Sequence, residues 1–215
     1  MKLFNNLESY TNRIAVIEQN EKKYTYKDIL KIEKNLSNII KEKDKIFLIC
    51  ENTFDFISIY ASLLRLKSVI FLIEESTNNE NFYSLIKNFE PNYIFTTKNK
   101  VLNNYKKLLL KDLNYNLYKT NYKSKLKKKN NLAILISTSG TTSSFKFVML
   151  SHENIFDNTK KIAEYLNINS SSRTITTMPS SYSYGLSIIN THLFKGASII
   201  TTKYTFFEKK FWFLF

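Results

Sequence analysis

The chain has 215 residues but only three glycines, two prolines and one cysteine. A single cysteine, Cys50, excludes an internal disulfide, and its place after the apolar stretch 46–49 reads as a small core residue. No apolar run approaches the length of a bilayer span, and the opening MKLFNNLESY lacks the apolar core of a secretory signal. The expected setting is a reducing cytoplasm. Histidine is scarce too: His152 and His192 are the only two. A metal cluster needs more ligands, so no metal site is expected and both are read as structural. No Ser, His and Asp set is marked by its context, which leaves hydrolytic nucleophile chemistry without support. The three glycines, Gly140, Gly185 and Gly196, all fall in the last third. Where glycine is this rare, the survivors mark places a side chain cannot occupy.

What is present is a globular composition, 43% hydrophobic and 15% aromatic. A chain of this length can bury roughly 70% of its unfolded surface. The formal charge is +14, yet the lysines are dispersed among Asn and Ile. The one dense run, KSKLKKK at 123–129, has no aromatic interleaving and reads as a solvated linker, with a possible sub-boundary at 121–131. No nucleic-acid partner is expected. The general excess of lysine would still attract an anionic nucleotide or thioester cofactor.

Along the chain, residues 13–19 and 22–26 read as two short strands around an Asn20-Glu21 turn. Ile29, Ile32, Leu36, Ile39 and Ile40 then mark one face of a helix. Apolar runs at 45–50, 69–73, 93–96, 132–136, 173–178 and 197–202 lack two-fold alternation and read as buried strands. Helical spacing recurs at 54–66, 81–89, 154–166 and 184–194, and a short helix is expected over 102–110. Residues 113–118 are weakly β-like. The fold class is therefore α/β, a mostly parallel sheet flanked by helices on both faces.

The most informative stretch is LAILISTSGTTSSFKFVMLSH, residues 132–152. An apolar strand breaks into eight small residues, seven with hydroxyls, followed by Lys146 and a short β-like run. Small residues let backbone N–H groups approach a polyphosphate, hydroxyls donate to its oxygens, and a lysine supplies counter-charge. No Gly-Lys-Ser/Thr ends the loop, so it is not a Walker loop. On composition alone, a hydroxyl-rich surface turn stays open beside the phosphate-binding reading. Thr138-Ser139-Gly140-Thr141-Thr142, with Lys146, Val148 and Ser151-His152 at their offsets, resembles the phosphate-loop signature of the adenylate-forming superfamily. That superfamily holds acyl-CoA synthetases, luciferases and peptide-synthetase adenylation domains, and its usual pattern reads Thr-Ser-Gly-Thr-Thr-Gly-x-Pro-Lys-Gly. Here Ser143, Phe145 and Phe147 stand where Gly, Pro and Gly are usual.

Weaker similarities run along the chain. Residues 24–28 (YTYKD) resemble the family's Leu-Thr-Tyr-x-Glu, and 64–73 resemble Leu-Lys-Ala-Gly-Ala-x-x-x-Pro, with Lys67 and Leu72 replacing Gly and Pro. Residues 178–186 (MPSSYSYGL) resemble the family's Pro-x-x-His-x-x-Gly, placing Tyr182 at the aromatic position and Gly185 at the glycine.

The resemblance implies activation of a small carboxylic acid with ATP and Mg²⁺, giving an acyl-adenylate and pyrophosphate, then transfer to a thiol such as CoA or phosphopantetheine. It assigns pyrophosphate binding to Thr138, Ser139, Gly140, Thr141, Thr142 and Lys146, with Thr142 and Lys146 in the catalytic role. Tyr182 and Gly185 would border the acid. The sequence contains no Tyr-Gly-x-Thr-Glu for adenine and Mg²⁺, no Tyr-Arg-x-Gly-Asp for ribose, and no lid domain with an adenylation lysine. Residues 1–215 are therefore expected to be a truncated front part of an adenylation domain, inactive without the remainder. An acyl-carrier protein or the downstream half of a split ligase is an implied partner. The alternative is a non-catalytic nucleotide-binding or interaction remnant.

Overall fold

The computed structural model describes residues 3–97, 102–123, 131–137 and 146–214. β1 (Ile14–Glu18) turns back on β2 (Lys23–Thr25) in an antiparallel pair. α1 (Tyr26–Ser37) begins at once, because Thr25 and Asp28 form a capping box in which the Thr25 N–H donates to Asp28 Oδ2 at 2.7 Å. The family-like Thr-Tyr-x-acid pattern is thus a helix start.

β3 (Lys45–Ile49), α2 (Phe54–Arg65), β4 (Val69–Ile73), α3 (Asn79–Phe89) and β5 (Tyr93–Thr96) follow as strand and helix in alternation. β3 is parallel to both β4 and β5, as the crossover helices require. β6 (Lys106–Leu108) and β7 (Asn116–Lys119) extend this sheet beside β5 with antiparallel pairing. At its other side, β8 (Leu132–Ser137) lies parallel to β4, and β9 (Phe147–Ser151) runs back along β8. After α4 (His152–Tyr165), β10 (Arg173–Thr176), α5 (Ser183–Lys195) and β11 (Ser198–Thr201), the described chain ends with α6 (Lys209–Leu214).

The strands divide between two sheets, which the periodicity did not foretell. One has the order β6-β7-β5-β3-β4-β8-β9 and the other β10-β11-β1-β2. The cores of both are parallel, and antiparallel strands sit towards their edges. Residues on either side of 121–131 share the larger sheet through the β4 and β8 pair.

Period-two alternation sorts each central strand between two cores. Ile46 and Leu48 of β3 join a cluster with α1, α2, α5 and the smaller sheet, whereas Phe47 and Ile49 face Phe82, Leu85 and Ile86 of α3. α2 lies within the first cluster, and every one of its residues except Arg65 is buried. The burial therefore extends beyond the single face that helical spacing over 54–66 implies.

The helix expected over 102–110 is absent. The Tyr105 N–H closes a turn on the Leu102 carbonyl at 2.9 Å, and residues 106–108 then pair with 117–119. Leu109 is 91% exposed, so these leucines share no helical face. A neighbouring strand offering ladder hydrogen bonds outweighs a short run of helix formers.

Glycine scarcity leaves its mark on the backbone. Lys67, which replaces the family's usual glycine, has φ +57°, and its carbonyl accepts from Lys43 N–H at 2.9 Å. The left-handed turn between α2 and β4 is retained without the residue that favours it. Replacing Lys67 with Gly is expected to stabilise the fold by about 1 kcal/mol, since the left-handed penalty exceeds what an exposed Lys67–Glu42 contact at 3.7 Å supplies. Chemical denaturation checks this, and a loss of stability would show the turn carries no strain.

Candidate functional site

The carboxyl ends of β3, β4, β10 and β11 converge on one open cleft of about 680 Å³. Parallel sheets place their ligand sites at such ends, because the loops leaving the strands are free to vary there. Cys50, Glu51 and Asn52 enter from β3, and Glu74, Glu75 and Ser76 from β4. Thr177, Pro179, Ser180 and Ser181 enter from β10, and Thr202, Lys203 and the 205–207 segment from β11.

Two hydrogen bonds lock the loops of the two sheets together at this cleft. Asn52 Nδ2 donates to the Met178 carbonyl at 3.0 Å, and Ser180 Oγ donates to the Glu51 carbonyl at 3.3 Å. Within the smaller sheet, the Gln19 side-chain carbonyl accepts from Lys203 N–H at 3.0 Å. Cys50 is buried, and burial pushes its thiol well above the ordinary range, so it supplies no thiolate at neutral pH.

Glu51 is half-buried, and burial raises its pKa above the ordinary value of 4.5. A hydrogen bond from Thr97 opposes that shift, and the Glu75 charge adds to it. Asp55, in the first turn of α2, is raised by burial as well, although its Oδ2 accepts from Asn114 N–H at 2.7 Å.

The hydroxyl-rich segment is attached to the same edge. The β4–β8 register pairs Leu72 with Ile136, which puts Ser137 level with Ile73, the residue before Glu74. Ser137 in turn faces Phe147 across the β8–β9 pair. Thr138, Ser139, Gly140, Thr141 and Thr142 lie outside the described residues, as do Ser143 and Phe145. Lys146 is described, is exposed, and immediately precedes the Phe147 anchor. The Phe147 ring packs edge-on at 5.9 Å from Phe71 and 5.1 Å from Phe89.

Gly185 and Tyr182 sit where α5 begins. A Cβ on Gly185 would stand 2.4 Å from the Pro179 carbonyl oxygen and 2.9 Å from that of Met178, so the turn presses directly on the helix. Tyr182 is the N-cap residue of α5, its N–H donates to the Pro179 carbonyl at 3.1 Å, and its side chain is 41% exposed. In this turn it is Ser180 and Ser181 that line the cleft. His192 is buried in α5 with Nδ1 2.9 Å from the Ile188 carbonyl, and burial lowers its pKa, so it is a neutral structural side chain. His152 opens α4 behind the Ser151 cap, whose Oγ accepts from Asn154 N–H at 3.1 Å.

Sequence reasoning overlooked Glu74, Glu75, Ser180, Ser181 and Lys203 as cleft residues. A signal did exist, since each stands within a few residues after an apolar strand run.

The sequence profile of the AMP-binding enzyme family matches residues 3–214. The chain belongs to that family. A comparison with curated protein sequences finds no match. Among solved structures, the chain resembles MatB from Rhodopseudomonas palustris with a TM-score of 0.71 and 16% identity, covering 94% of this chain and 45% of that one. VinN gives 0.73 and 16%, covering 94% and 59%. The o-succinylbenzoate CoA synthetase MenE from Bacillus subtilis, in complex with its acyl-adenylate intermediate OSB-AMP, gives 0.72 and 14%, covering 94% and 56%. These likenesses establish the fold. The chain spans about half the length of these structures. No helix among the described residues is long and apolar enough to cross a membrane.

Two outcomes test this geometry. Gly185→Ala should cost about 1–3 kcal/mol in denaturation, because only backbone atoms can yield to the new methyl; an unchanged midpoint would mean the turn is loose. For Glu51, a raised folded pKa means the native state holds the proton more tightly than the unfolded chain, so stability falls as pH rises from 4.5 through the folded value. Glu51→Gln should accordingly be more stable than the parent at pH 7, with the difference vanishing near pH 4. An equal gap at both pH values would show that ionisation of Glu51 is not its source.

Proposed function

We infer that the chain forms part of the machinery for ATP-dependent carboxylate activation. In this reading a carboxylate oxygen attacks the α-phosphorus of ATP, the α–β phosphoanhydride bond breaks, and an acyl-adenylate and pyrophosphate result. The acyl group then passes to a thiol, either of CoA or of a carrier-bound phosphopantetheine. The observation that carries the reading is the β8–β9 register, which pairs Ser137 with Phe147, the residues bracketing 138–146, at the strand-end side of the sheet on which the 680 Å³ cleft opens. Family membership supports it. So does the ligand state of two neighbours, MatB solved with ATP bound and MenE with an acyl-adenylate.

Each residue then has a defined task. Lys146 neutralises charge gathering on the departing pyrophosphate, while the hydroxyls of Thr138, Ser139, Thr141 and Thr142 donate to its oxygens. Gly140 lets the backbone approach. This contribution is electrostatic and positional, with no proton transfer asked of the loop. Tyr182 and Gly185 belong to the turn whose Ser180 and Ser181 line the cleft, and in this reading they border the acid. Among the described residues no group of three His, Cys, Asp or Glu side chains could hold a metal ion. The Mg²⁺ that accompanies ATP in this chemistry is therefore given no ligands here, and no step runs through it. An acyl-carrier protein, or a polypeptide bearing the later motifs, is the partner this reading calls for.

The test is carboxylate-dependent ATP–pyrophosphate exchange across a panel of acids, with the chain alone and with a polypeptide carrying the later motifs added. Exchange is expected in the second arm, and Lys146→Ala should lower it about 100-fold or more. No exchange in either arm, with ATP binding retained and sensitive to Lys146→Ala, would leave a nucleotide-binding module without catalysis.

A further inference from the structure

At the end of the smaller sheet remote from the cleft, β1, β10 and β11 begin around a basin of about 350 Å³. Asn12, Arg13, Ile14, residues 170–173 and Ser198 line it, and none of these is an Asp or Glu. The sequence holds only three arginines, Arg13, Arg65 and Arg173, against a large excess of lysine. Two of the three face this one basin. Arg65, by contrast, is spent on Glu8, Glu33 and the Phe4 carbonyl.

Arg13 is oriented without being neutralised. Its Nε donates to the Gly196 carbonyl at 3.2 Å and its Nη2 to the Ser170 carbonyl. Both acceptors are backbone oxygens, so the guanidinium plane is fixed while its charge stays uncompensated among the described residues. Arg173 is held only by Nε to Ser198 Oγ at 3.4 Å, which leaves both of its Nη groups uncommitted there. The wall between them is also built. Asn169 Oδ1 accepts from Ser171 N–H at 2.9 Å, and Asn169 N–H donates to Ser172 Oγ at 3.0 Å, which shapes the 169–172 turn and leaves the Ser170 hydroxyl without a bond among the described residues.

We propose that this basin is an anion site for a phosphoryl group, recognised by the paired guanidinium groups of Arg13 and Arg173 with the Ser170 hydroxyl. Planar guanidinium forks match tetrahedral oxyanions through paired N–H donors, which the point charge of a lysine cannot do. Two positive charges complement the −1.5 to −2 charge of a phosphomonoester at neutral pH. The volume exceeds what inorganic phosphate fills, which favours a phosphorylated small molecule. The site is separate from the nucleotide cleft. β1, β10 and β11 run four to five residues from one to the other, about 13–17 Å at the usual rise per strand residue.

The small number of arginines supplies the assay. In the ¹H–¹⁵N spectrum of the full chain, the three Nε–Hε signals are followed during titration with inorganic phosphate, with glycerol 3-phosphate, and with chloride at matched ionic strength. The Arg13 and Arg173 signals should move to saturation with the two phosphoryl probes, while Arg65 stays still. Arg173→Gln, chosen because its single bond makes it dispensable for folding, should weaken binding about tenfold or more. Tighter saturation by glycerol 3-phosphate would identify an ester as ligand, and equal saturation would show that the phosphoryl group alone is read. Linear drift of all three signals, equal shifts with chloride, or undiminished binding in Arg173→Gln would each overturn the site.

Discussion

The complete burial of α2 is the constraint from which the rest of the architecture follows. A helix with no solvent face must satisfy every polar group it carries inside the protein. Ser58 and Ser62 return their hydroxyl protons to the Asp55 and Ser58 carbonyls at 2.9 and 2.7 Å. Tyr60 donates to Asn190 of α5 at 3.0 Å, and Phe54 stacks on Tyr24 at 3.8 Å. At the far end Arg65, the one residue not buried, gathers Glu8, Glu33 and the Phe4 carbonyl. The two serine bonds stay within the helix, whereas the contacts of Phe54, Tyr60 and Arg65 fix other parts of the chain against it. Because residues of both sheets share the core cluster around α2, their loops meet beyond its amino-terminal end, and the cleft opens there.

Scarcity of glycine shapes how the chain turns. Glu21, Lys43, Lys67, Glu90, Asp112 and Asn167 all occupy left-handed conformations that glycine would adopt at less cost. Two glycines remain among the described residues, and for both the reason is steric. A methyl at Gly185 would meet backbone oxygen, and one at Gly196 would meet the Tyr10 ring at 2.5 Å. Turns that only need a positive φ have been handed to Lys, Glu, Asp and Asn, and glycine persists where there is no room for a side chain. Lys67 shows that a left-handed turn can be made without glycine.

That distinction explains what could be read from sequence. The runs at 45–49, 69–73 and 132–137 declared themselves as strands because burial on both faces demands unbroken apolar residues. α1, α2, α4 and α5 were legible from spacing. The division into two sheets was not legible, since pairing β1 with β11 joins residues nearly the whole chain apart and no local pattern encodes a partner. The strand at 106–108 was missed for the same reason: it exists because β7 lies beside it. The cleft was half legible. The turn before α5 stood out through Tyr182 and Gly185, whereas Glu51, Glu74, Ser180 and Lys203 become cleft residues only when separate strands end side by side.

The base of the signature segment is where sequence departure and structure can be weighed together. The usual pattern has a glycine after the lysine, and this chain has Phe147. A glycine there contributes no packing and leaves the exit of the loop mobile. The phenylalanine ring is instead wedged between Phe71 and Phe89, and the residue is registered against Ser137. Lys146 therefore leaves the sheet from a position fixed by hydrophobic packing, and the nine residues 138–146 span ends that are already adjacent. The sheet has therefore already brought the two ends of the segment together. Phe145 stands where the usual pattern has proline and so adds backbone freedom, whereas Ser143, where glycine is usual, removes some.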